Sequence, residues 1–293
     1  MACAQNKDKL RKIFTLRNEL ARQTLCEFYG MYLYAVLVRG VAARATLSMS
    51  TSNFQTAFSI GMALALSIYS GFGVSGGHLN SAVSLGLAAV GAFPWWKVPF
   101  YIIAQLMGGF LGAGTAYLIY TDAFDDLDGG TRQVFGENGT ASIFATFPQP
   151  FLSPITAVFE QILNTALMLA LIGAVADRRN QAPPQGVIPL FFGFIVFLII
   201  HAYGYNAGPP LNPTLDLSGR LVLAAAGYGS DIWIPRGSHW WVIPIVGPTI
   251  GSALGSWSYY LAVELHHPRV DDTAELGLEG TNLKQGEFKA NES

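Results

Sequence analysis

Two copies of one short pattern, far apart in an apolar chain, constrain the fold of this sequence most. The first copy reads Leu79-Asn80-Ser81-Ala82-Val83, and the second reads Leu211-Asn212-Pro213-Thr214-Leu215. Each copy follows, at a similar distance, a glutamate embedded in apolar sequence: Glu27 in the first half and Glu160 in the second. This pattern predicts a duplication. Internal repeats of membrane proteins place their working site where the repeats meet, often on interrupted helices near the bilayer midplane.

The length of the apolar runs predicts helices that cross a membrane. Hydrophobic residues make up 51% of the sequence and charged residues only 12%, against about 25% charged in an ordinary soluble domain. A spanning helix needs roughly 20 apolar residues. Six stretches have this length: 27–47, 55–75, 98–120, 156–176, 187–206 and 240–262. Two shorter apolar pieces, 80–89 and 212–222, reach across only half a membrane, so we expect re-entrant half-helices.

Several other function classes have no support in the sequence. A net charge of -2 gives no basic footprint for nucleic acid. Two cysteines, Cys3 and Cys26, cannot build a disulfide framework or a zinc cluster. There is no phosphate-binding loop, zinc motif or nucleophile elbow. We therefore expect neither an enzyme nor a bound cofactor or metal.

Basic residues near the spans set the expected orientation, because they favour the cytoplasmic side. They cluster before the first span, at Lys97 and at Arg178-Arg179, so we expect a multi-pass cell-membrane protein with both termini cytoplasmic. The third connection, 121–155, is then external. It contains the sequon Asn138-Gly139-Thr140, a candidate for N-glycosylation.

The predicted spans and the polar ends of the sequence divide the chain into three parts. Residues 1–25 are expected to be a cytoplasmic N-terminal segment, and 26–268 a channel domain with repeat halves at about 26–122 and 155–264. The polar end, 269–293, is predicted to be a disordered cytoplasmic tail.

Three spans per repeat is an odd number, so the second copy must enter the membrane upside down. The half-helices then approach from opposite faces, and Asn80 and Asn212 meet at their tips as N-cap residues. Pro213 suits the first helical position. Ser81 lacks that preset, so we expect the first half-helix to begin less rigidly than the second.

Two helix N-termini that point at one spot place positive partial charge there, which opposes a cation but not a neutral, hydroxyl-bearing solute. In the alternative interpretation each Asn only caps its own half-helix in a closed protein. We expect the carboxylates of Glu27 and Glu160 to accept hydrogen bonds from backbone N–H groups of the re-entrant loops, because lipid offers these groups no acceptor. The simpler alternative is that each pairs with a neighbouring helix.

These residues resemble the aquaporin superfamily, and within it the glycerol-conducting branch, the aquaglyceroporins. The resemblance covers about residues 20–268. Its marks are the paired Asn loops, the approach Ser75-Gly76-Gly77-His78-Leu79-Asn80, Glu27 and Glu160, Asp216 and Arg220, Gly136-Glu137-Asn138, the run 143–147, and Pro244-Ile245. It implies an all-α membrane fold of six transmembrane helices plus two re-entrant half-helices in an inverted repeat. It also implies a lipid-embedded homotetramer whose subunits each conduct glycerol and water.

The chain departs from the family pattern at both loops. The family's Asn-Pro-Ala is Asn80-Ser81-Ala82 in the first loop, and Asn-Pro-Ala-Arg-Asp is 212–216, Asn-Pro-Thr-Leu-Asp, in the second. Leu215 stands where the family keeps its filter arginine. The other three filter positions fall on apolar residues: Ile60, Ile200 and Pro209. His201 would reach the filter only if this register were wrong by one residue.

An apolar filter predicts slower flux of water and glycerol, since a solute loses hydrogen bonds there without replacement. Loss of the arginine also weakens the exclusion of cations. Arg44, near the end of the first span, can snorkel to the interface. Snorkelling is harder for Arg39, so we consider the hypothesis that it points inward and partly replaces the missing positive charge.

Three functions remain open at this stage. The first is a passive channel for small neutral solutes: glycerol, water and, by extension, urea. The second is an alternating-access transporter, which lacks an intramembrane ion-coupling pair. The third is a pore-closed structural or adhesive tetramer of the same fold.

Overall fold

The structure is a computed structural model that describes residues 2–48 and 51–268; the predicted tail at 269–293 lies outside the described residues. All regular secondary structure in these two segments is helical. In chain order the α-helices are α1 (Ala2–Phe14), α2 (Glu19–Ser48), α3 (Asn53–Tyr69), α4 (Phe72–Ser75), α5 (Ser81–Ala89), α6 (Val98–Asp128), α7 (Pro154–Ala176), α8 (Ile188–Tyr203), α9 (Pro213–Ala225) and α10 (Ile243–Ala262).

The predicted all-α architecture is confirmed: six long helices, α2, α3, α6, α7, α8 and α10, surround the short helices α5 and α9. Four of the six are long and apolar enough to cross a membrane by length and composition alone: α2, α6, α7 and α8. The other two, α3 with 17 residues and α10 with 20, pack beside them.

Three helix boundaries differ from the predicted spans by more than three residues. The first span begins earlier, at Glu19, because the Asn18 side chain accepts the Ala21 N–H (3.0 Å) and caps the helix. The third runs on to Asp128, and Gly129 in the left-handed conformation (φ 65°) ends it. The second stops at Tyr69, after which α4 forms a separate turn that carries the chain into the first Asn loop.

Close backbone contact between helices follows the glycine spacing in both repeats. In the first repeat α2 packs on α6, and in the second α7 packs on α10. A Cβ at Gly108 would overlap the carbonyl oxygen of Phe28, and one at Gly255 would overlap that of Ala166. Lipid provides no hydrophobic driving force for helices to associate. Small residues at four-residue spacing allow the close van der Waals packing that holds the helices together instead.

The long third connection is partly a core element. Ile143, Phe144 and Ala145 are buried against α2, α6 and α9. A 3-10 turn, Ala141–Ile143, starts this insertion. The connection therefore covers one end of the bundle and brings backbone carbonyls close to α9.

We predict that Gly108→Ala destabilises the protein by about 1 to 3 kcal/mol, because the added methyl overpacks the α2/α6 contact. Gly114→Ala is the matched control on the same helix, since nothing lies within 4 Å of a Cβ there. Thermal unfolding in detergent micelles measures both variants. Equal midpoints for Gly108→Ala and Gly114→Ala would contradict the packing argument.

Candidate functional site: a central passage between the repeats

A cavity of about 490 Å³ lies between the two repeats. It extends from Arg178 and Gln185, in the connection between α7 and α8, to Ser142 and Thr146 in the third connection. The cavity is therefore lined at one end by an α7/α8 loop and at the other by the inserted third loop.

Three of the predicted pore residues line this cavity: His78, Asn80 and Asn212. The other four named for the half-helix tips are Ser81, Ala82, Pro213 and Thr214. They are buried but do not contribute to the described cavity wall. Of these four, Ser81 and Thr214 contact each other across the two half-helices.

The two asparagines form reciprocal bonds across the centre of the molecule. Asn80 Nδ2 donates to the Leu211 carbonyl (2.9 Å), and Asn212 Nδ2 donates to the Leu79 carbonyl (2.7 Å). Each side-chain oxygen caps its own helix: that of Asn80 accepts the Ala82 N–H (2.8 Å), and that of Asn212 accepts the Leu215 N–H (3.2 Å). Since a side-chain amide carries two N–H donors, one remains on each asparagine for a solute in the cavity.

Glu27 holds the first loop. Its carboxyl group accepts the backbone N–H of His78 (3.0 Å) and of Leu79 (2.8 Å). It also accepts the Ser75 hydroxyl (2.7 Å) and the Gln105 side-chain amide (2.8 Å). Leu79 itself has a positive φ of 46°, so these bonds hold a backbone conformation that a leucine seldom adopts.

Glu160 does not hold the second loop in the same way, contrary to the expectation from the repeat. One carboxyl oxygen accepts the Asn206 side-chain amide (3.2 Å), and the other is buried with no hydrogen-bond partner in the protein. The sequence explains one of the two missing bonds: the residue two positions before Asn212 is Pro210, which has no N–H, whereas His78 donates its N–H from the corresponding place before Asn80. Leu211, the counterpart of Leu79, has an N–H but does not donate it to Glu160.

Ser81 and Thr214, two departures from the family pattern, contact each other. The Ser81 N–H, which a proline would not have, points at the Thr214 hydroxyl (3.4 Å). That hydroxyl donates in turn to the Asn212 side-chain oxygen (2.7 Å). The first half-helix is thus linked to the second, and the expectation that it begins less rigidly stays a prediction.

All four predicted filter positions, Ile60, Ile200, Pro209 and Leu215, line the cavity. His201, one residue after Ile200, is exposed and stacks on Phe197 outside the cavity (ring centroids 5.8 Å apart). The assignment of these four apolar positions to a selectivity filter stays a prediction. Arg39 and Asp216 also line the cavity.

Asp216 and Arg220 fasten α9 to the third connection. Asp216 accepts the Thr146 N–H (2.8 Å) and hydroxyl (2.7 Å), and pairs with Arg220 (2.6 Å). Arg220 donates to the carbonyls of Thr146 and Ile232. Both ionic side chains are almost fully buried, so removal of one would leave the other uncompensated.

The sequence analysis missed two supporting residues, Gln105 and Trp240. Gln105 is buried in α6 and donates to Glu27, and its polar side chain inside a span is the signal that could have found it. Trp240 is buried and donates to the Thr146 carbonyl (2.8 Å). Only the folded third connection brings this pair together, so no local pattern could have found it.

Comparisons with known proteins agree with this geometry. The model of the protein family described as "Major intrinsic protein" matches residues 15–259. The chain is 40% identical to human Aquaporin-9 over 270 residues, which is 92% of this chain and 91% of the relative. It is 39% identical to human Aquaporin-10 over 279 residues, 94% of this chain and 90% of the relative.

A solved structure has the same fold. The X-ray structure of the aquaglyceroporin from Plasmodium falciparum superposes with a TM-score of 0.73 at 28% sequence identity. The match covers 84% of this chain and 97% of that one.

The two glutamates should differ in their contribution to stability. We predict that Glu27→Gln costs about 2 to 4 kcal/mol, because the new amide would face donors that now bind a carboxyl group. Glu160→Gln should cost less than about 1 kcal/mol, since its single partner can donate to the glutamine oxygen instead. Thermal unfolding of both variants in micelles measures the difference. If both variants lost the same free energy of unfolding, the different hydrogen bonding of Glu27 and Glu160 would not translate into a difference in stability.

The contact between Ser81 and Thr214 can be tested by a double-mutant cycle. We predict that Thr214→Ala costs about 0.5 to 1.5 kcal/mol, because the Ser81 N–H loses its acceptor. Ser81→Pro removes that N–H, and the extended backbone of Asn80 (φ -162°, ψ 122°) accepts a following proline. Thr214→Ala should therefore cost less in the Ser81→Pro background. Additive unfolding energies would exclude the contact.

Proposed function

This chain belongs to the major intrinsic protein family, the aquaporin superfamily, and we propose that its central cavity is a passive pore for small neutral solutes, glycerol and water foremost. The observation that carries the proposal is the pair of asparagines whose amides face one cavity from the N-termini of α5 and α9. A solute there meets amide donors, and the Leu79 and Leu211 carbonyls are the fixed partners of those amides.

The same geometry favours neutral over cationic solutes. Two helix N-termini meet at the asparagines, and each carries a partial positive charge. The oxygen of a solute hydroxyl group can accept a hydrogen bond from one asparagine amide. The same hydroxyl group can donate its hydrogen to the next molecule in the pore. The carboxyl groups near this point are already bound by protein donors. Glu27 accepts four hydrogen bonds, and Asp216, which lines the cavity, accepts from Thr146 and pairs with Arg220.

The aliphatic collar of Ile60, Ile200, Pro209 and Leu215 sets the selectivity that we propose. A solute crossing it gives up hydrogen bonds at about 1 to 3 kcal/mol for each unsatisfied group. Glycerol and small polyols have carbon surface that can contact the aliphatic side chains, and this contact partly offsets the free energy of their lost hydrogen bonds. Water has no such surface. We expect low water flux compared with glycerol flux, and passage of urea in between.

The alternative of a pore-closed structural tetramer has weaker support. A cavity that reaches from Gln185 to Ser142 and is lined by the capping asparagines has no purpose in a purely adhesive protein. Family members are channels, and we propose no catalytic residue for this chain.

The chain is a membrane protein, and we propose the remaining context from its surface. Long helices expose large apolar side chains outward, for example Leu118 at 76% and Ile155 at 84%, which suits lipid and neighbouring subunits in a homotetramer. Asn138 is exposed on the third connection. We propose that this connection is extracellular, that Asn138 is glycosylated there, and that the termini lie in the cytoplasm of a cell-membrane protein.

We predict glycerol efflux from proteoliposomes containing the full chain at a rate at least tenfold above that from empty liposomes, measured by stopped-flow light scattering. Ile60→Trp should abolish it, because the indole fills the passage. The matched control is Phe58→Trp on the same helix, since Phe58 is 38% exposed on the outer face and lines a different surface groove. Flat traces for the unmodified chain, or equal flux in both variants, would overturn the proposed route.

A further inference from the structure

We propose that Arg39 of α2 replaces the missing filter arginine and is the residue by which this pore rejects cations. This inference rests on the proposed function, because it assigns the selectivity of the same passage. It begins from a discrepancy: Leu215 removes the fixed positive charge from α9, yet a buried guanidinium still lies at this level of the cavity.

The position of the guanidinium carries the argument. Arg39 Nη2 donates to the carbonyl oxygen of Leu215 (2.7 Å), and Nη1 donates to that of Ile143 (3.2 Å). The side chain thus reaches from α2 to the backbone of the residue that occupies the family's arginine position. Two carbonyls on different elements fix its orientation.

The surroundings leave room for this side chain and do not neutralise it. A Cβ at Gly219 would overlap the Phe144 carbonyl oxygen and lie 2.9 Å from Arg39 Nη2, so this glycine admits both the third connection and the guanidinium. In the described part of the chain no carboxylate forms an ion pair with Arg39. The nearby Asp216, which also lines the cavity, accepts from Thr146 and pairs with Arg220. Two guanidinium groups, those of Arg39 and Arg220, thus face this one carboxylate, and the group keeps a net positive charge. The positive charge is therefore available to the passage.

Arg39 also retains unused hydrogen-bond donors. It is only 7% exposed, and its Nε is buried without a partner in the protein. A guanidinium has five N–H donors, of which the two carbonyls take two. The buried Nε is closed to a solute, but one N–H remains on each of Nη1 and Nη2. Arg39 lines the cavity, so a passing hydroxyl oxygen can accept from one of these two donors.

A buried cation inside a spanning helix is costly and is retained where it faces a pathway. The usual filter arginine projects from the second half-helix, whereas Arg39 arrives from the first long helix. The positive charge therefore lies on a different side of the passage: the α9 side is aliphatic and the α2 side is cationic. The substrate class that fits is a neutral solute with a carbon face and a hydroxyl face.

The experiment compares guanidinium uptake with glycerol flux in proteoliposomes containing the full chain. Guanidinium is a small planar ion that stays charged at neutral pH. We expect Arg39→Gln to raise the ratio of guanidinium to glycerol permeability at least tenfold, equivalent to about 1.4 kcal/mol. Arg44→Gln, on the exposed side of the same helix, is the matched control and should leave the ratio unchanged.

Two further variants make the test independent of the folding of Arg39→Gln. In the double variant Arg39→Gln with Leu215→Arg, the ratio should return to within about threefold of the unmodified chain, because the charge is restored from α9. Leu215→Arg alone should lower glycerol flux at least fivefold, since two guanidinium groups then occupy one constriction.

The possible failures are distinguishable. If the unmodified chain conducts glycerol and Arg39→Gln keeps the original ratio, the assignment of Arg39 is wrong and the channel stands. If Leu215→Arg alone conducts glycerol as well as the unmodified chain, Arg39 does not occupy the constriction. If the unmodified chain conducts no glycerol above empty liposomes, the proposed function itself is wrong.

Discussion

The reciprocal bonds of Asn80 and Asn212 are the interaction on which the rest of this structure depends. Each amide donates to the backbone carbonyl just before the other asparagine. At membrane depth no water is present to satisfy broken helix ends, so irregular backbone persists only where protein groups or a polar cavity complete its hydrogen bonds. These two bonds join the half-helices and, at the same time, leave one donor on each asparagine facing the passage.

The repeat is symmetric in outline and asymmetric in its supports. Glu27 binds the first loop through two backbone N–H groups. Glu160 binds only the Asn206 side-chain amide, and one of the two corresponding donors is absent because Pro210 has no N–H. The second half-helix has the proline start at Pro213 instead, and the Thr214 hydroxyl links it to Ser81. Stability is thus supplied on one side by a buried carboxyl group and on the other by a fixed backbone.

The constriction shows how a lost side chain can be replaced from another element. Leu215 stands where the resemblance to the family implies an arginine, and the guanidinium of Arg39 binds the Leu215 carbonyl from α2. Because backbone carbonyls are present whatever the side chain, such a site can accept a cation from a neighbouring helix. Gly219 supplies the room. A single-position comparison with relatives would record only a loss of charge.

The sequence by itself determined the membrane-spanning helices, the two half-helices and the capping asparagines, because these follow from the length of apolar runs and from local capping chemistry. The resemblance to the family, and not the residues by themselves, pointed to Ile60, Ile200, Pro209 and Leu215, and all four line the cavity. Only the tertiary structure decided the orientation of Arg39, the unequal roles of Glu27 and Glu160, and the contacts of Thr146 with Trp240 and Arg220. The reason is physical: these depend on which carbonyls and N–H groups of distant segments meet, and residues such as Arg39 and Leu215 become neighbours only when the whole bundle closes.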